Sequence, residues 1–87
     1  MDIRNTKMEA QNSKQSEEIQ KLLFSRGVVW AGDSGGEIMH TNTSYLFIDD
    51  KKKLRYATAD SDGKTFFENT KYKEISINDL KFEEFEF

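Results

Sequence analysis

Apolar and polar positions change their period along this chain, and the changes mark the elements. Over residues 13–25, SKQSEEIQKLLFS, Ile19, Leu22 and Leu23 fall at i, i+3 and i+4, the apolar stripe of an amphipathic helix. Asn12 suits the N-cap, with Gln15 three residues on as its capping-box partner. Glu17 and Glu18 lie in the early turns, where the helix dipole favours anions, and Glu17 with Lys21 makes an i, i+4 pair. Arg26 and then Gly27 end the helix: a cation near its last carbonyls, followed by a residue that tolerates the left-handed conformation.

Beyond the helix the period shortens to two. Val28, Val29, Trp30 and Ala31 read as a strand, and GDSGG (residues 32–36) and a polar stretch to Thr43 as loop. Tyr45, Leu46, Phe47 and Ile48 are apolar on both faces, as in a central strand covered on each side. A turn at Asp49, Asp50, Lys51 and Lys52 leads into Leu54–Thr58, which alternates with one wetter face. Asp60, Ser61, Asp62 and Gly63 read as a further turn, and Thr65, Phe66 and Phe67 begin either a strand or a short helix. Residues 73–77 alternate as a last strand, after which Asn78 caps a helical turn carrying Leu80. Met8, Glu9 and Ala10 form a candidate first strand. The expected fold is α+β: one amphipathic helix, about 13–25, packed on a small, mainly antiparallel sheet of about four to five strands. The chain is expected to be a single domain, 1–87, with a loose start over about 1–6 and a loose tail over about 81–87.

Composition narrows the classes of function. There is no cysteine, so disulfides, thiolate zinc sites and a cysteine nucleophile are excluded, and a reducing cytoplasm fits. No stretch approaches the roughly 20 apolar residues that span a bilayer, and residues 1–14 lack the apolar core of a secretion signal. A cytoplasmic protein without membrane contact is the expectation. The net charge is −3, and the one basic run, Lys51–Lys52–Lys53, abuts Asp49 and Asp50. Direct nucleic-acid binding is therefore not expected, because phosphate contacts call for a basic excess or stripe.

The motifs that carry chemistry elsewhere lack their partners here. GDSGG resembles the nucleophile motif of chymotrypsin-like serine proteases, but Ser34 needs a base and an orienting acid. The single histidine, His40, follows the serine by six residues, and 87 residues cannot build two β-barrels. The string reads as a tight loop. Asp60-x-Asp62-Gly63 lacks the acidic first and twelfth positions of a calcium loop, where Thr58 and Asn69 stand. Asp33, Glu37 and His40 share one loop but make a poor metal set. No catalytic residue, metal or cofactor is expected, and the chain is not read as an enzyme.

Aromatic residues make up 13% of this polar chain. Most are core candidates, but Phe82, Phe85 and Phe87 alternate with Glu83, Glu84 and Glu86 at the C-terminal end. From Glu74 to Phe87 five acids face one base, Lys81, so this end carries a negative field. Such a tail docks on the protein's own sheet or on a basic, apolar groove of a partner.

The order SEEIQKLLFSRGVVW, a Gly-rich turn, YLFIDDKKKLRY, FF and YKEISINDL resembles a set of small, uncharacterised phage-encoded accessory proteins. Ser16, Glu17, Ile19, Gln20, Leu23, Phe24, Gly27 and Trp30 carry the likeness, with Glu74, Ile75, Ile77 and Leu80 near the end. It implies a gene product acting in the host cytoplasm, and it transfers no catalytic residue. The expected function is a non-catalytic binding protein that modulates or inhibits a host protein of defence or nucleic-acid handling, with Phe82, Glu83, Glu84, Phe85, Glu86 and Phe87 as the contact. The alternative is an oligomeric small-molecule binder that sequesters a nucleotide-like signal, using Gly35, Gly36, Trp30, Tyr45, Tyr56 and Arg55. A third reading is a minor virion structural protein.

Overall fold

The computed structural model describes residues 3–32, 36–57 and 60–82, apart from the side chain of Phe82. The elements run β1 (Thr6–Glu9), α1 (Ser13–Phe24), β2 (Val29–Trp30), β3 (Tyr45–Ile48), β4 (Lys53–Ala57), α2 (Ser61–Asn69), β5 (Lys73–Glu74) and α3 (Ile77–Phe82). The strands form one sheet in the order β2-β4-β3-β1-β5. Its two long ladders, β1 with β3 and β3 with β4, are antiparallel, in the registers Met8↔Leu46 and Leu46↔Tyr56. Both edges are short and parallel, β2 beside β4 and β5 beside β1. The fold is thus α+β, with a mixed five-stranded sheet and α1 as its main helix.

Helix α1 begins as its sequence dictates. Asn12 Oδ1 accepts the Gln15 N–H at 2.8 Å, and Glu17 pairs with Lys21 at 3.0 Å. Gln15 Oε1 reaches back one residue further than a capping box requires, accepting from Gln11 N at 2.7 Å. Gly27, at φ +83°, supplies the left-handed stop. The buried face is Ser16, Ile19, Gln20 and Leu23, while Leu22 sits at its margin, partly buried.

Three expectations are corrected. Asp60–Gly63 is not a hairpin turn: Asp60 is the N-cap of α2, its carboxylate accepting Gly63 N at 2.9 Å. The helix then carries Phe66 and Phe67, which settles the choice between strand and helix. The last strand stops at Glu74, and Ser76, not Asn78, caps α3. Asp79 Oδ2 accepts the Ser76 N–H at 2.8 Å, the side-chain bond that opens a helix. The first strand is a central one, offset from the expected 8–10 to Thr6–Glu9. Within the stretch expected to be loose, Ile3 is buried and its carbonyl accepts the Thr6 hydroxyl at 2.7 Å; Met1 and Asp2 lie outside the described residues.

The period-two alternation of β3 splits the core into two layers. Leu46 and Ile48 face α1 and α3, joining Met8, Ile19, Leu23, Val28, Leu54, Ile75 and Leu80. Tyr45 and Phe47 face α2 and pack with Phe67. Arg26 ties α3 to the end of α1 by donating to Leu80 O at 2.5 Å, and Lys81 reaches Glu18 at 2.7 Å. On the other layer the buried Lys7 runs its stem along Phe67, with the ammonium 4.7 Å from the ring centroid. Its Nζ donates to Phe67 O and Thr70 O, carbonyls at the C-terminal end of α2.

Asp49 organises the β3–β4 hairpin. Its Oδ1 accepts the N–H groups of Lys51 and Lys53, each at 2.9 Å, and its Oδ2 accepts Arg55 Nε at 3.0 Å. Burial acts to raise the carboxyl's pKa, but the Lys53 N–H, the Arg55 guanidinium and the Lys51 N–H outweigh it and hold it below the ordinary value.

Candidate functional site

The corner where β2 meets β4 gathers aromatic rings, the buried Trp30 and the exposed Tyr56. Trp30, at the end of β2, lies beside Leu54 in the parallel ladder, and Tyr56 projects from the same sheet face two residues on. Residues 36–44 fold back over this corner because four side-chain bonds hold them. Buried Gln20 clamps Met39 from both sides, donating to its carbonyl at 2.7 Å and accepting its N–H at 2.9 Å. Trp30 Nε1 donates to Glu37 O at 2.8 Å, and the Thr43 hydroxyl donates to His40 O at 2.9 Å.

His40 is thereby delivered onto the aromatic pair. Its imidazole stacks on Tyr56, with centroids 3.8 Å apart and planes 17° from parallel, and meets Trp30 edge-on at 5.1 Å. Trp30 meets Tyr56 edge-on at 6.1 Å. His40 occupies the left-handed region, φ +56°. An aromatic contact contributes about 0.5–1.5 kcal/mol and a left-handed backbone costs about 1–2 kcal/mol. The imidazole makes two such contacts, with Tyr56 and Trp30, which together offset the backbone cost.

A cleft of ≈ 220 Å³ opens here, lined by Trp30, Ala31, Met39, His40, Leu54, Arg55 and Tyr56. Main-chain groups reach it too. On β4, Lys53 bonds towards β3, since Asp49 N–H donates to its carbonyl at 3.0 Å. Alternation then turns Arg55 and Ala57 to β3 as well, and Leu54 and Tyr56 to the β2 side. Ala31 N–H takes the Leu54 carbonyl at 3.0 Å, and the chain bends away at Gly32, φ +85°. Among the described residues the pairing with β2 ends there.

On the opposite face a second groove, ≈ 270 Å³, lies between β4 and α2, lined by Phe47, Arg55, Tyr56, Phe66, Thr70 and Tyr72. Phe66 is 59% exposed and Tyr56 44%, and Phe66 stands edge-on to Phe47 at 5.2 Å. Arg55 lines both recesses. One of its donors is committed to Asp49, and its side chain is 61% exposed.

Of the ligand residues expected from sequence, the structure brings Trp30 and Tyr56 together on one face, while Arg55 lines the same cleft but its side chain, opposite Phe47, projects towards the α2 face. Tyr45 is not with them: the period of β3 places it on the other face, buried against Phe67 at 4.8 Å. Gly36 lies beside the Phe24 ring, and a Cβ there would meet it at an ordinary 3.8 Å. Gly35 lies outside the described residues, as do Asp33, Ser34 and the tail residues Glu83, Glu84, Phe85, Glu86 and Phe87. Phe82 ends α3. His40 was missed by sequence reasoning, which placed it in a loop with Asp33 and Glu37 and gave it no role. The available signal was Gln20, a polar residue on the buried stripe of α1 that needs a main-chain partner from elsewhere. Among the described residues no group of three His, Cys, Asp or Glu side chains could hold a metal, and no helix is long and apolar enough to cross a membrane.

Compared with protein-family models, curated proteins and solved structures, the chain matches none. The resemblance to phage accessory proteins therefore rests on its sequence pattern, and most of that pattern has packing duties. Ser16, Ile19, Gln20, Leu23, Trp30, Ile75 and Leu80 are all buried.

Proposed function

We propose that this chain is a non-catalytic binding protein that acts by contact with another protein, through the sheet edge where Tyr56 and Phe66 are presented. The observation that carries the reading is Phe66, a large apolar side chain 59% exposed beside the apolar groove between β4 and α2. Exposed aromatics flanked by an arginine are the composition of interface anchors. The partner we propose, from the phage-like sequence pattern, is a host protein of defence or nucleic-acid handling in the bacterial cytoplasm. The acidic-aromatic residues 82–87 serve as a second arm of the contact.

The test is affinity capture from bacterial lysate with mass spectrometry, comparing the full chain, Phe66→Ser, and a chain ending at Leu80. A host protein held by the full chain and lost with Phe66→Ser supports the reading. Retention of the same proteins by all three chains refutes it. Small-molecule binding, the second reading, has its own support in the Trp30–His40–Tyr56 cleft.

A further inference from the structure

We infer that the seam between β4 and α2 is self-complementary. A second copy of this chain docks on it about a two-fold axis, with Phe66 beside the partner's Phe66 and each Arg55 against the partner's Asp62. The inference rests on the reading of the Phe66 surface as an interface, and it names a second copy as an occupant of that surface.

The period of α2 builds the seam. Asp62, Phe66 and the C-cap Thr70 are four residues apart, so they follow one another along one face of the helix, about 6 Å per step. Gly63 and Phe67, one position on from Asp62 and Phe66, are the buried pair, which sets the row at the margin of the sheet. Lys64 and Glu68, two positions to either side of Phe66, lie roughly 200° around the helix and take no part. Beside the row run the β4 residues of the same sheet face: Arg55, the cross-strand partner of Phe47, and Ala57, that of Tyr45. Phe66 stands between two recesses. One, ≈ 270 Å³, is lined by Arg55, Phe47, Thr70 and Tyr72; the other, ≈ 500 Å³, lies at the start of the helix and is lined by Ala57, Asp62 and Gly63. The strip thus has a cation at one end, an aromatic ring in the middle and an anion at the other end.

Charge order and shape both select a second copy. Because Arg55 and Asp62 stand on opposite sides of Phe66, a half-turn about the centre of the strip brings each cation onto the other copy's anion. Both charges are available. Arg55 gives one donor to Asp49 and its side chain is 61% exposed, while Asp62 is exposed and forms no ion pair among the described residues. The shape repeats in the same way: Phe66 is 59% exposed with an open recess on either side, so a partner's ring at the axis seats beside it and the contact is made twice. The acidic residues Glu83, Glu84 and Glu86 fit the strip less well, since they match Arg55 but also meet Asp62 with like charge. A row from Asp62 to Thr70 is only about 12 Å long, which places the interface below the roughly 1,200–2,000 Å² of standard complexes and makes the dimer a weak one.

The experiment is sedimentation equilibrium of the full chain from about 10 μM to 1 mM, the range in which a small interface associates. The expected result is a mass that rises from one chain towards two and stops there, with association weakened by added salt. Phe66→Ser and Asp62→Arg each weaken the dimer about tenfold or more. Asp62→Arg alters one exposed residue of the first helical turn, and unchanged circular dichroism confirms its fold. Its association recovers as salt is raised, opposite to wild type, because like charges then face each other at both junctions. Mixing Asp62→Arg with Arg55→Glu chains restores the dimer, since Arg55 meets Asp62 at one junction and the two substituted positions pair at the other. Four outcomes overturn the inference: a monomer at about 1 mM, association undiminished by Phe66→Ser or Asp62→Arg, assembly that continues beyond two chains, or a dimer lost with Phe85→Ser and Phe87→Ser but kept with Asp62→Arg. A monomer that still loses its captured lysate protein with Phe66→Ser overturns this inference and leaves the host-contact reading standing. A dimer broken by Asp62→Arg, in a chain that captures no host protein, does the reverse.

Discussion

Replacing Asp49 isolates one carboxylate that holds a hairpin together. Two main-chain donors, Lys51 and Lys53, converge on Oδ1 at 2.9 Å, and the residue is only 7% exposed. Hydrogen bonds to a charged acceptor contribute about 1.5–3 kcal/mol each and neutral ones about 0.5–1.5 kcal/mol. Asp49→Asn keeps the shape and loses the charge, so each of the two bonds weakens by about 1–1.5 kcal/mol, for a total near 2–3 kcal/mol. Asp49→Ala removes both acceptors and leaves N–H groups in the tight turn to find water, raising the loss to about 3–6 kcal/mol. In a domain of this size each kcal/mol lowers Tm by roughly 4–8 °C. The Arg55 pair adds less than about 1 kcal/mol, because its guanidinium side is 61% exposed and screened.

The pH dependence separates charge from shape. Burial alone would raise the Asp49 pKa; the Lys53, Arg55 and Lys51 donors reverse this, and the folded value lies below the ordinary 3.8. The native state therefore binds this proton less readily than the unfolded chain. Stability from Asp49 is complete above the unfolded value and is lost as pH falls through the depressed folded value. Urea unfolding of wild type and Asp49→Asn should show a gap that is constant from about pH 7 to pH 5 and narrows below about pH 4. A gap under about 0.5 kcal/mol at neutral pH, or one that stays unchanged on acidification, would refute the charge-assisted account.

Other perturbations probe other links. Lys7→Met keeps the buried stem but withdraws the ammonium from Phe67 O and Thr70 O; the expected loss is about 1–3 kcal/mol with faster amide exchange in α2, and unchanged exchange there would contradict the capping role. Gly27→Ala meets no atom within 4 Å, so its cost is the left-handed backbone alone, about 1–2 kcal/mol by urea unfolding, and a neutral result would mean that the turn relaxes. Gln20→Ala releases Met39 and with it the 36–44 segment, shifting Trp30 emission to longer wavelength, whereas an unshifted spectrum would show that the Trp30–Glu37 bond suffices.

How far the sequence discloses this fold depends on how many signals agree at each element. Helix α1 has a cap, a 3.6-residue stripe and a glycine stop, all pointing the same way. Strand β3 has four apolar residues between turns, and both of its faces are in fact covered. Helix α2 has no such agreement. Phe67 is its one buried side chain apart from Gly63, so no stripe exists, and its N-cap aspartate reads equally well as a turn residue. Strand β1 was half seen for a related reason. Its buried positions include Thr6 and Lys7, whose polar atoms are satisfied by Ile3 O and the end of α2, partners that no local pattern reveals.

The site shows the same limit at longer range. Trp30, Arg55 and Tyr56 were singled out by residue type, and β-sheet alternation brings Trp30 and Tyr56 to one face while Arg55, the partner of Phe47, projects from the other. Tyr45 was grouped with them by type as well, yet it lies one register position from Leu46, the cross-strand partner of Tyr56, and parity sends it to the far face. His40 reaches the corner because side-chain bonds from other elements hold its segment, chief among them the clamp on Met39 by Gln20, twenty residues earlier. Residue type selects what can stack; register and a remote main-chain clamp decide what does. The cleft is therefore tied to the packing of α1. A substitution at Gln20, which touches none of the three rings, should alter His40 stacking while leaving Phe66 and its protein contact intact.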